Sequence, residues 1–246
     1  MKQCTLKDSF QINGKGLHTG LQIEATFSPA PENTGYVFKR VDLEGEPTIL
    51  AVAENVVETV RGTVIGNNTM RISTIEHALA ALYAAGIDNC LITLNAPELP
   101  ILDGSAIYYA EKIDEVGIVE QESEKDYYIV KQKIEVIDEK TGSSLIVLPD
   151  EDFSIDTMIE FDSAILQNQF ASLHSMKNFK SEIAASRTFV FVREIEALLN
   201  ANLIKGGDLD NAIVIHDQPM SKEALDKISN LIGIEGVEVS DLGYIN

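Results

Sequence analysis

In the stretch RISTIEHALAALYAAG (71–86), Glu76 and His77 stand side by side. A carboxylate beside an imidazole suits one kind of chemistry: the imidazole binds a metal ion and the carboxylate takes a proton from the water on it. The same residues suit a plainer role. Ser73-x-x-Glu76 has the spacing of a capping box, in which hydroxyl and carboxylate each satisfy an orphan backbone N–H. An acid in the first turn also lies well against the positive end of a helix dipole. The pair leaves both readings open, and the first needs further ligands.

An element must hold the pair. Ile75, Leu79 and Leu82 follow a helical period with Ala78, Ala81 and Ala84 around them, which predicts a helix from Thr74 to Ala85 closed by Gly86. Ahead of it, LQIEATFSPAP (21–31) and GYVFKRV (35–41) alternate as strands, and TVIGNNTMRI (63–72) reads as a hairpin around residues that tolerate positive φ. NCLITLN (89–95) is a strand, and the loop APELPILDGSA (96–106) leads to a second helix ending at Gly117. EQESEKD (120–126) is polar and acidic and is the expected linker between a first domain, 1–119, and a second, 127–246.

The second half restarts with strands at 127–138, 143–149 and 153–162, helical stretches within 180–204 and a strand at 211–215. EHALAALYAAGIDNCLITL and EIEALLNANLIKGGDLDNAIVI share the order helix, glycine, Asp-Asn, strand. The expectation is an α+β protein of two similarly built domains, each a helix layer on a small mixed sheet, with a site in the groove between them.

Bulk properties remove several function classes. The 246 residues carry a net charge of −20, which argues against gripping nucleic acid or being held on anionic lipid by charge alone. Cys4 and Cys90 give no disulfide framework and no C-x-x-C site. The start, MKQCTLKDSFQING, lacks the apolar core of a signal peptide, and no apolar run approaches the length of a membrane span. The expected location is the cytoplasm. The chain has no H-E-x-x-H, no G-x-S-x-G and no P-loop. GKGLHTG (14–20) is a weak phosphate-loop candidate that reads better as a tight turn.

Four stretches in order resemble one family: GKGLHTG, RISTIEHALAALYAAGIDNCLITLNAPELPILDGSA, SRTFVFVREIEALLNANLIKGGDLDNAIVI and the linker between the halves. That family is the zinc-dependent UDP-3-O-acyl-N-acetylglucosamine deacetylases of lipid A synthesis. The resemblance implies that His77 is a zinc ligand, Glu76 the general base and Thr188 a hydroxyl donor to the oxyanion. It implies that Phe189, Leu17 and His18 contact substrate, with Leu17 toward the acyl-chain groove and Asp103 behind the metal site. A bound zinc lowers the pKa of its water to about 7, and an oxyanion donor adds stabilisation specific to the transition state. On the residues alone, Thr188 and Asp103 read as helix caps, and Phe189 and Leu17 as core.

The resemblance also implies a His and an Asp one helical turn apart as the remaining ligands, and a later general-acid histidine. The expectation is that these lie beyond GIEGVEVSDLGYIN (233–246) in a longer product, sometimes with a fused dehydratase domain, and that a chain stopping there is inactive. His174 and His216 match none of these positions. The alternative is a non-catalytic paralogue that binds a nucleotide-sugar or a partner.

Overall fold

Alternating side chains build the first half. In chain order it holds β1 (Lys2–Leu6), β2 (Phe10–Lys15), β3 (Gln22–Pro29), β4 (Tyr36–Arg40), β5 (Thr48–Leu50), β6 (Val56–Glu58), β7 (Val64–Gly66), β8 (Arg71–Ile72), α1 (Glu76–Ala84), β9 (Cys90–Leu94), α2 (Ile107–Val116) and β10 (Ile118–Glu124). These elements come from a computed structural model that describes residues 1–163, 165–218, 226, 239–240 and 243–245, with Glu196, Leu199 and Tyr244 described by backbone alone. Most of the stretch 233–246, where the sequence reading expects the chain to break off, lies outside the described residues.

The main sheet has the order β2-β3-β9-β4-β5, antiparallel except where β4 runs parallel to β9. Ile23, Ala25 and Phe27 of β3 and Cys90, Ile92 and Leu94 of β9 are buried at every second position. Ala78 and Leu82 of α1 and Tyr109 and Ile113 of α2 share one core with this sheet. Burying each large apolar side chain contributes roughly 1.5–3 kcal/mol. Phe10 stacks on Phe27 at 4.8 Å, and Tyr109 meets Phe27 edge-on at 5.7 Å. The Tyr109 hydroxyl donates to the Pro100 carbonyl at 2.7 Å, which anchors the loop carrying Glu98 and Asp103 to the core.

Helix α1 stops as the sequence predicts: Gly86 has φ +76 and its N–H donates to the Tyr83 carbonyl at 3.0 Å. Its start differs. The capping box does not form. The Ser73 N–H donates to the Pro97 carbonyl (3.0 Å), and the Ser73 carbonyl accepts from Leu99 N–H (3.1 Å). The Ser73 hydroxyl donates to Pro97 as well (3.3 Å), so this residue serves the 97–99 loop and not the helix. Thr74 takes φ +58, a conformation rare for a β-branched residue, and the helix begins two residues after it.

The segment 120–126, read as a linker, runs as strand β10 through Glu124, antiparallel to β1. Its polar side chains make the seam. Gln121 and Gln3 both accept from the Asn89 amide at 2.8 Å, and Lys125 pairs with Asp88 at 2.8 Å.

The second half contains β11 (Ile134–Ile137), β12 (Ser144–Val147), β13 (Ile155–Ile159), β14 (Gln169–Leu173), α3 (Phe179–Glu182), β15 (Phe189–Phe191), α4 (Val192–Asn200), β16 (Ile213–Ile215) and β17 (Tyr244–Ile245). β11–β12 and β13–β14 are separate antiparallel hairpins, and β15-β16-β17 form a three-stranded sheet. The α+β class expected from sequence holds, with helices and strands intermixed. The shared pattern of the halves has a structural counterpart: α1 leads to β9 parallel to β4, and α4 leads to β16 parallel to β15. Leu173, Phe179 and Ala184 join the first half's core, while Val192, Ile195, Val214 and Ile245 make a small one of their own.

Candidate active site

The glycine-rich turn 14–20 is a tight turn, and its anion belongs to the chain. Gly16 N–H donates to the Leu21 carbonyl at 2.9 Å and Gly20 N–H to the Gly16 carbonyl at 3.0 Å. Backbone N–H groups converging in such a turn make an anion-binding concavity. Here the Glu98 carboxylate fills it, accepting from His18 N–H (2.8 Å) and Thr19 N–H (2.9 Å). The phosphate-loop candidate is thereby set aside, because the donors a phosphate would need are spent.

The turn delivers His18 to Glu76. Glu76 Oε2 accepts from Thr63 N–H at 2.9 Å, which turns the carboxylate away from its own helix axis and toward residues 62–63. A Cβ built on Gly62 would lie 3.3 Å from Glu76 Oε1 and 3.7 Å from His18 Nε2, so carboxylate and imidazole face one open point above a residue without a side chain. His18 Nδ1 is buried and has no hydrogen-bond partner among the described residues.

His77 follows Glu76 on α1 and is half-buried. Burial holds its pKa below the ordinary histidine value, and the nearby Glu76 and Asp103 carboxylates oppose that shift without reversing it. The neutral imidazole is the form a metal ligand needs. A histidine with a lowered folded pKa leaves stability intact above its unfolded value of about 6.5 and removes it as pH falls through the folded pKa. Urea unfolding of the metal-free chain at about pH 7.5 and 5.5 should therefore show the wild type losing more stability than His77→Gln. Equal losses would show that no such penalty exists.

Asp103 is not a helix cap. Its Oδ1 accepts from Ser105 N–H (3.0 Å) and Ser105 Oγ (2.7 Å), an Asx-turn that shapes the loop ahead of α2. Thr188 is not a cap either, since α4 begins at Val192. Thr188 N–H donates to the Gly104 carbonyl at 2.7 Å, and its carbonyl accepts from Ile213 N–H at 2.9 Å. Arg187 ties the same place together, donating from Nε to the Asp103 carbonyl (2.6 Å) and from Nη2 to the Leu209 carbonyl (2.9 Å). Asp103, beside His77, is thus one residue from the backbone that holds Thr188. No hydrogen bond joins the Thr188 hydroxyl to another described residue.

Phe189 sits in an aromatic trio, 5.2 Å from Phe161 and 5.6 Å from Phe191, nearly perpendicular to both. Leu17 lines an apolar cavity of about 70 Å³ with Val190, Ile195, Ile204, Leu209 and Val214. The cavity lies where the 14–20 turn meets the β15–α4–β16 unit: Gly206 N–H donates to the Leu17 carbonyl at 2.9 Å, and Lys15 pairs with Asp208 at 2.9 Å. Arg61 reaches across to Glu194 of α4 at 2.5 Å.

The seven residues singled out from sequence therefore form two linked groups. Glu76, His77, His18 and Asp103 cluster around the start of α1, and Leu17, Thr188 and Phe189 lie along the β15–α4–β16 unit. Among the described residues no three His, Cys, Asp or Glu side chains are placed to hold a metal ion. His77 thus stands without a ligand set, and the described residues do not by themselves make a zinc site. Glu98, Gly62 and Arg187 carry no role in the sequence reading. For Glu98 a signal existed: a glycine-rich turn with converging N–H groups calls for an anion, and the A-P-E stretch offers one.

The sequence model of the family described as UDP-3-O-acyl N-acetylglycosamine deacetylase, LpxC, matches residues 3–229. The chain belongs to that family. It is 62% identical over 246 residues to a Bacteroides thetaiotaomicron protein named bifunctional enzyme LpxC/FabZ, covering all of this chain and 53% of that one. A protein of the same name from Porphyromonas gingivalis is 58% identical over 245 residues, with 53% of it covered. A Marinobacter nauticus protein named UDP-3-O-acyl-N-acetylglucosamine deacetylase is 39% identical over 226 residues, which is 91% of this chain and 74% of that one. The chain spans about half the length of the bifunctional relatives it matches. In this LpxC-family chain no described helix is long and apolar enough to cross a membrane.

Proposed function

We propose that the complete protein hydrolyses the N-acetyl group of UDP-3-O-acyl-N-acetylglucosamine in the cytoplasm, releasing acetate and a free 2-amino sugar for lipid A biosynthesis. One observation carries the reading: in a chain of this family, the Glu76 carboxylate is turned by Thr63 N–H to face open space opposite His18.

The proposal gives each residue a task. Glu76 accepts a proton from the attacking water, which keeps a poor nucleophile from having to carry positive charge into the transition state. Attack converts the amide carbonyl to a tetrahedral oxyanion, to which Thr188 Oγ–H, uncommitted among described residues, donates. Such a donor is most useful where charge develops in a site shielded from water. Collapse then breaks the C–N bond and acetate leaves. The departing nitrogen takes up the proton that Glu76 removed from water or one from a general acid outside the described residues. Leu17 and the apolar cavity take part of the acyl chain, and Phe189 and His18 border the sugar.

His77 is proposed as one ligand of a zinc ion whose other ligands come from residues other than those described here, with Asp103 behind it. Because the described residues lack a ligand set, they are expected not to hold zinc tightly by themselves. The bifunctional relatives support a further expectation, that the complete product also carries a dehydratase domain.

The assay is acetate release from UDP-3-O-acyl-N-acetylglucosamine by the complete gene product, before and after chelation and zinc restoration. Turnover that disappears with the metal and returns with it is the expected result. A folded, zinc-supplemented product that releases no acetate would overturn the proposal.

A further inference from the structure

We propose that Glu98 is a positioning residue for this site, whose buried carboxylate locks the turn bearing Leu17 and His18 to the start of the helix bearing Glu76 and His77. The inference rests on the deacetylase reading and deepens it.

Glu98 is 0% exposed and forms no ion pair with a described cation. Oε1 accepts from His18 N–H at 2.8 Å and from Thr74 Oγ1 at 3.0 Å. Oε2 accepts from Thr19 N–H at 2.9 Å and from Thr19 Oγ1 at 2.7 Å. Burying a carboxylate without a cation is costly unless hydrogen bonds surround it. Closing the turn does not require that cost, because Gly16 and Gly20 already close it with backbone bonds.

What the carboxylate adds is reach. One oxygen holds a donor from the turn and a donor from Thr74, two residues ahead of Glu76. Thr74 has φ +58, and such a conformation persists in a β-branched residue only where its surroundings over-determine it. Gly16 makes room, since a Cβ there would overlap the Glu98 carboxylate. The contacts run as a chain, His18 N–H to Glu98, Glu98 to Thr74 and Thr74 along the backbone to Glu76, whose carboxylate and the His18 imidazole face the same point over Gly62. Without Glu98 that chain is cut at its middle, and the turn bearing His18 loses its tie to the segment that leads into Glu76.

Steady-state kinetics of the complete, zinc-supplemented protein test this with three variants. Glu98→Gln keeps the volume but turns an N–H donor toward the backbone N–H of His18 or of Thr19, which cannot accept it. It should lower kcat by about a hundredfold, the scale of a roughly 1 Å misplacement, with a smaller change in KM. Thr74→Val is nearly isosteric, leaves the turn's own bonds to Glu98 intact and cuts only the tie to α1. It should lower kcat by about fivefold with circular dichroism unchanged, and Thr74→Ser, which keeps the hydroxyl, should restore it.

A Glu98 that merely stabilises the turn would leave Thr74→Val silent and the rate per folded molecule unchanged. If the wild type turns over and both Thr74→Val and Glu98→Gln stay within about twofold of its kcat, a difference under ~0.4 kcal/mol, the inference fails and the deacetylase reading stands. If Glu98→Gln does not fold, Thr74→Val against Thr74→Ser decides. No turnover by the folded wild type defeats both.

Discussion

Replacing Glu76 with glutamine in the complete, zinc-supplemented protein should lower kcat by about 10²–10⁴-fold, the usual contribution of a positioned general base. Glutamine keeps a carbonyl oxygen to accept the Thr63 N–H that Glu76 Oε2 accepts at 2.9 Å, so the side chain should stay in place. What is lost is the ability to take a proton. Because that loss acts on the transition state alone, kcat and kcat/KM should fall together while KM holds. The fold gives little reason to expect a stability defect, since the carboxylate does not cap its own helix. A variant with near-wild-type kcat would return Glu76 to a purely structural role.

The second large effect is expected at Gly104. This residue has φ +85, and a Cβ on it would run into the Asn211 carbonyl and come within 3.1 Å of Thr188 Cγ2. Gly104→Ala therefore combines a conformation unfavourable to any side chain with an overlap against backbone that cannot swing aside. Together these should cost about 2–4 kcal/mol. For a chain of this size that lowers the melting temperature by roughly 5–15 °C. Gly45→Ala is the control: φ is +76, but nothing lies within 4 Å of its Cβ, so only the conformational cost of about 1–2 kcal/mol applies. Equal losses in the two variants would show that the close approach of the 103–104 loop to Asn211 is not a constraint. Gly104→Ala should also lower kcat, because the same glycine's carbonyl holds Thr188 N–H at 2.7 Å.

Local signals in the sequence translate well. The alternation of β3, the glycine stop after α1 and the hairpins at 64–72 and 134–147 all form, because period and turn chemistry act over a few residues. Even there the means can differ. The 64–72 hairpin turns without a positive φ, since Asn67 Oδ1 accepts from Thr69 N–H and Met70 N–H at 2.9 and 3.1 Å. The failures are tertiary. Ser73 has the spacing of a cap, but the 97–99 loop, distant in sequence, takes its hydrogen bonds. EQESEKD has the composition of a linker, yet β1 offers an open edge and Asn89 a partner for Gln121.

The site shows the same division. Glu76 and His77 were conspicuous because they are adjacent, and Thr188 through its motif. Glu98 was hidden because its donors, His18, Thr19 and Thr74, come from two stretches 55 residues apart at their nearest, Thr19 to Thr74. The open space at Gly62 was hidden because it depends on a side chain that is absent.

The central claim is that the start of α1 carries two separate functions, a base and a metal ligand, on adjacent residues. Zinc content measured side by side on purified complete wild type, Glu76→Gln and His77→Gln tests it most directly. The account predicts bound zinc in the first two and its loss from the third. Zinc retained by His77→Gln, or lost equally from Glu76→Gln, would contradict it.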